Sequence, residues 1–136
     1  MILSPRTKKI VSQITEEKTK LGDLRTIAKD IKKDYELAIE LWSTEHFFAR
    51  QLAILIMDKK LLTEEVIDKL VADIKQHNNN EKLQLIDWLM ANQLTKEKRL
   101  VALINSWKDS STSLKRRIYW YHQLLHHGTH PSRNAG

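Results

Sequence analysis

Residues 81–117 read EKLQLIDWLMANQLTKEKRLVALINSWKDSSTSLKRR. Helical spacing runs through this stretch. A first helix is expected over roughly 81–94, with the carboxylate of Asp87 set among Leu83, Ile86, Trp88 and Met90. A second runs from about Thr95 to Trp107, with Leu100, Leu103, Ile104 and Trp107 aligned. Asp109 to Ser113 is a run of polar capping residues. A third helix follows from about Ser113 to His127, with Leu114, Ile118, Tyr121 and Leu125 inward and Lys115, Arg116 and Arg117 in its first turns. No alternating strand pattern interrupts them. The stretch therefore reads as all-α.

The same logic extends upstream. Ser4 and Pro5 are a cap and a first helical residue, starting a helix over roughly 5–19 with Ile10, Val11 and Ile14 apolar. Leu21, Gly22 and Asp23 read as a break, with Asp23 capping a second helix whose stripe is Leu24, Ile27, Ala28 and Ile31. Asp34 caps a third, with Leu37, Ala38, Leu41 and Trp42 inward. Ser43 and Thr44 interrupt and cap a fourth, with Phe47, Phe48, Leu52, Leu55 and Ile56 facing the core and Lys59 and Lys60 at its negative end. Thr63, Glu64 and Glu65 open a fifth along Ile67, Val71 and Ile74, and residues 77–80 form a polar turn.

Composition agrees. The 136 residues include only 3 Gly and 2 Pro, too few for a many-turned β fold. There is no cysteine, which excludes disulfides, thiol nucleophiles and cysteine zinc sites. No apolar run approaches the ~18 residues of a membrane span, and the first residues lack a secretory apolar block, so a cytoplasmic protein with no membrane partner is expected. A net charge of +6 favours polyanionic partners, and a solvated lysine-rich surface fits it equally. Residues 1–127 are expected to form one domain and 128–136 a disordered tail.

Eight helices joined by short turns make four antiparallel pairs. An internal echo favours stacking them as a solenoid rather than a simple bundle. Trp42, a polar cap, and then Arg50 are followed 67 residues after Arg50 by the same order, Trp107, a polar loop and Arg117. The fold expected is thus an α-solenoid of antiparallel helix pairs, an α-α superhelix with a concave face.

The segments LGDLRTIAKDI, LAIELWSTEHFFARQLAILIM, LQLIDWLMANQL and SWKDSSTSLKRRI resemble, in order and spacing, the DNA alkylation repair enzymes built from HEAT-like repeats. Those proteins are alkylpurine DNA glycosylases. The resemblance covers roughly Leu21–Tyr121 and implies that Asp87 is the catalytic aspartate and Arg117 a DNA-phosphate ligand. Asn92, four residues after Trp88, competes for the aspartate position, but Asp87 needs the shorter deletion from the family pattern. The family's tryptophan before the aspartate falls on Leu83, and family members continue for several further helices, so this chain is expected to be short at its C-terminus. Activity is expected to be hydrolysis of the N-glycosidic bond of cationic alkylated bases in double-stranded DNA by a monomer, with no cofactor and no metal. The alternative is a scaffold that binds DNA or protein without catalysis.

The site residues expected are Asp87 for catalysis, with Arg117, Arg116, Lys115, Trp88 and Leu83 toward DNA. Pattern alone favours Asp87 as a surface carboxylate paired with Lys82 or Lys96, and Trp88, Trp107 and Trp120 as core anchors. Three cations at a helix start oppose the helix dipole, so some anion should compensate them, and a phosphate is one candidate. His122 and His126 stand one turn apart, a zinc-compatible spacing without a third ligand.

Overall fold

The computed structural model describes residues 2–14 and 21–128. Among them are eight α-helices and no strand. The chain forms two compact units, Met1–Thr63 and Glu64–Gly136.

The first unit holds α1 (Pro5–Ile14), α2 (Leu21–Ile31), α3 (Tyr35–Ser43) and α4 (Phe47–Ile56). Ser4 caps α1, its Oγ accepting from the Thr7 N–H at 3.2 Å. The expected extension of this helix to residue 19 lies outside the described residues. Asp34 caps α3 as expected, accepting from the Leu37 N–H at 3.0 Å. The expected break at residues 21–23 is not one: Leu21, Gly22 and Asp23 are already helical, and Asp23 sits in the first turn of α2 rather than capping it. The α3–α4 turn also differs. Thr44 closes α3, and Glu45 takes a left-handed φ of 64° while its N–H reaches the Trp42 carbonyl. His46 then precedes α4 without a side-chain cap.

The core here is Leu37, Ala38, Leu41 and Trp42 of α3 against Ala49, Leu52, Ala53 and Ile56 of α4, all buried. Phe47, Phe48 and Leu55 are half-buried, not core. Arg50 is the surprise. It is 5% exposed, with its Nε donating to the Trp42 carbonyl at 3.1 Å and its guanidinium 4.8 Å from the Trp42 ring centre. Lys59 and Lys60 do not end α4. They belong to a separate 3-10 turn, Lys59–Leu61, capped by Asp58.

The second unit holds α5 (Glu64–Ile74), α6 (Asn79–Asn92), α7 (Lys98–Asn105) and α8 (Ser113–Gln123). Ile67, Leu70, Val71 and Ile74 of α5 are buried, as are Leu85, Ile86, Leu89 and Met90 of α6. α6 packs on both α5 and α8. The helix expected over 95–107 is divided into a 3-10 turn, Leu94–Lys96, and α7. Leu94 is fully buried, and Glu97 goes extended at φ −146°, which breaks the helical path. α8 ends at Gln123 and widens into a π turn, Leu124–Gly128. Its buried stripe is Leu114, Ile118 and His122, every fourth residue. Tyr121, about 100° from His122, and Leu125, inside the widened turn, are therefore exposed rather than inward. Trp107 anchors the core, whereas Trp120 is 51% exposed. No helix among the described residues is long and apolar enough to cross a membrane.

Candidate functional site

α6 begins where Asn78 accepts from the Glu81 N–H at 2.9 Å, and the Glu81 carboxylate meets His77 Nδ1 at 2.9 Å. Four apolar side chains then turn one face of the helix into the core. Asp87 follows Ile86 by 100° and so reaches the rim of that face, half-buried. α8 starts after Thr112 and presents Arg117 one turn in.

These two side chains meet. Arg117 Nε donates to Asp87 Oδ1 at 3.0 Å and Nη2 donates to Oδ2 at 2.9 Å, a fork-on-fork ion pair across α6 and α8. The Arg117 side chain is 37% exposed and that of Asp87 31%, so the pair faces solvent. The hydrogen bond to Asp87 raises the Arg117 pKa above its ordinary value. Burial opposes this, and the charges of Asp87 and Tyr121 add to it. The Tyr121 ring centre lies 5.9 Å from the guanidinium carbon, one turn further along α8. The partner of Asp87 is thus Arg117, not Lys82 or Lys96.

The neighbouring cations turn elsewhere. Lys115 pairs with Asp68 of α5 and lies 5.2 Å from the Trp107 ring centre. Arg116 Nη1 donates to the Ser110 carbonyl at 2.6 Å. The misfit of three cations at a helix start is therefore answered inside the chain, by Asp68, the Ser110 carbonyl and Asp87. Trp88 is half-buried, its carbonyl accepting from Asn92 Nδ2 at 3.0 Å, and Leu83, a turn before Asp87, is 38% exposed. His122 and His126 stack at 4.3 Å between ring centres, and no group of three or more His, Cys, Asp or Glu side chains fit to hold a metal occurs among the described residues.

Sequence reasoning missed Tyr121, which it placed inward. Its spacing of four from Arg117 was the available signal. The Trp–Arg echo does not survive at the side-chain level. Arg50 is a buried brace on Trp42, whereas Arg117 leaves Trp107 to Lys115 and takes Asp87.

Chemically, the arrangement is a carboxylate aimed and held by a guanidinium that still has donors to offer. Arginine carries five N–H groups, and Asp87 engages two. An anion arriving from solvent can take others.

An all-helical protein that presents a half-exposed aspartate clasped by arginine is the class these observations define. The family model for DNA alkylation repair enzymes matches residues 18–133, and the chain belongs to that family. No curated protein and no solved structure matches it.

Proposed function

We propose that this DNA repair protein is an N-glycosylase that removes cationic alkylated bases from duplex DNA, with Asp87 as its catalytic carboxylate. The observation that carries the reading is the bidentate Asp87–Arg117 pair, because it joins on one solvent-facing surface the two residues whose chemistry the reaction needs. A base made cationic by alkylation leaves without being protonated. The bond from C1′ to the base nitrogen breaks, and both electrons go to the base, which becomes neutral. Positive charge develops on the sugar, where a fixed carboxylate stabilises it. Water adds at C1′ and passes a proton to Asp87. Arg117 offers its remaining N–H groups to a backbone phosphate, and as it shifts toward that phosphate the charge of Asp87 is released for the sugar. Trp88 and Leu83 stand beside Asp87 on α6, and Lys115 and Arg116 would have to leave Asp68 and the Ser110 carbonyl to join the phosphate contact. Helix pairs stacked as HEAT-like repeats are the scaffold the reading assumes.

The test is release of methylated base from alkylated duplex by wild type and Asp87→Asn. The expected result is release by wild type and a loss of at least about a hundredfold in the variant, with duplex binding kept. Equal release by both would remove Asp87 from catalysis. A second reading has one observation in its favour. Leu83 stands exposed where the family resemblance implies tryptophan, so no aromatic face from that position meets the substrate. A DNA-binding protein without catalysis then follows, and it predicts duplex binding with no abasic product.

A further inference from the structure

The first unit carries a basic groove remote in sequence from Asp87. Arg25, Lys29, Lys32 and Lys33 line it, with Ala28 and Leu55 as its apolar walls. Three features set it apart from an ordinary solvated lysine face. Arg25, Lys29 and Lys32 follow at spacings of four and three, so three cations share one side of α2 and of the turn that ends it. Lys32 adopts a left-handed φ of 69°, with its N–H on the Ala28 carbonyl at 2.8 Å. Helices often end this way, but on glycine or asparagine, and here a lysine bears the steric cost. Lys33, though exposed, bends back and donates to the Leu55 carbonyl at 3.1 Å. Burial there, then the nearby charge of Lys59, lowers the pKa of its ammonium, and Asp58 offsets this only in part. Lys33 and Lys59 thus lie close enough to repel, and a bound anion relieves that repulsion.

We propose that this groove is a second contact for the phosphodiester backbone of duplex DNA. The cations are spread over about 10 Å along α2, taking about 1.5 Å per residue from Arg25 to Lys32. That length follows successive phosphates along a strand and exceeds what one small anion spans. The groove is open, with Ala28 and Leu55 as its only apolar lining residues, so an acidic peptide finds no deep pocket for its side chains. The proposal rests on the reading that the chain binds DNA, and it adds a site that grips DNA whether or not a lesion is present.

The experiment measures binding of the full chain to a short unmodified duplex by fluorescence anisotropy across a salt series. The groove variant combines Arg25→Gln, Lys29→Gln and Lys32→Gln and spares Lys33, which braces Leu55. A charge-matched control combines Lys8→Gln, Lys9→Gln and Lys60→Gln. Matching helical circular dichroism and melting establish that both variants fold. The groove variant should bind on the order of tenfold more weakly, with the log–log salt slope smaller by about 2–3. The control should stay close to wild type. Equal weakening of both variants would make the effect bulk charge and overturn the proposal. A groove variant that binds like wild type would overturn it while leaving the DNA reading intact. No duplex binding by wild type would sink both. Displacement of the duplex by inorganic phosphate at matched ionic strength would make a free anion the occupant and also overturn it.

Discussion

Two arginines that look alike in the chain have opposite work. Arg50 is buried on the Trp42 carbonyl and ring, so truncation leaves a cavity and removes one hydrogen bond from that carbonyl. Arg50→Ala should lower unfolding free energy by about 2–4 kcal/mol in denaturant titration. Arg117 sits at the surface with Asp87, where water screens the pair. A double-mutant cycle of Arg117→Ala and Asp87→Ala should return a coupling of no more than about 1 kcal/mol. A coupling several times larger would mean that the pair is structural. Its raised pKa keeps Arg117 charged through the ordinary pH range. Any stability this group adds is present below its unfolded pKa and is lost only as pH rises through the still higher folded value. The clasp therefore does not open by losing the arginine proton near neutral pH. In the proposed reaction a competing anion, the DNA phosphate, opens it instead.

At the scale of the element, α6 decides where Asp87 stands. Its start is held by Asn78 and Glu81, its core face by Leu85, Ile86, Leu89 and Met90. Removing the cap with Asn78→Ala should cost about 1 kcal/mol, read as a lower melting temperature. Asp87 lies over two turns from that cap, so methylated-base release should persist at temperatures where the variant remains folded. α8 shows what periodicity misses. Leu114, Ile118 and Tyr121 fit a helical stripe at four and three, and so do Leu114, Ile118 and His122 at four and four. The packing selects the second, which sends Tyr121 outward beside Arg117.

At the scale of the whole molecule, the excess of +6 is divided evenly between the two units, so attraction for a polyanion does not depend on one helix. Asp87→Asn removes a negative charge and the partner of Arg117 together. This variant should bind unmodified duplex as tightly as wild type or more tightly, by less than about tenfold, and the gain should shrink as salt rises. Weaker binding by Asp87→Asn at low salt would show that the carboxylate holds Arg117 in its DNA-binding position. The measurement also separates loss of chemistry from loss of binding in the base-release assay.

Local physics made much of this protein legible in the chain. Scarce glycine and proline, apolar residues at helical spacing, Ser4 with Pro5, and Asp34 at a helix start needed no distant partner, because cap bonds and helical stripes are set within a few residues. The family was legible in the order of short motifs. What lay beyond reach depended on neighbours far along the sequence. Arg117 meets Asp87 across thirty residues, Lys115 turns to Asp68, and Arg50 is buried while Trp120 is not. Capping and periodicity are properties of a segment, so the sequence by itself determined that the chain is helical and where most of its helices lie. Which charges face each other and which aromatics face water depends on how the helices pack, and that only the tertiary structure decided.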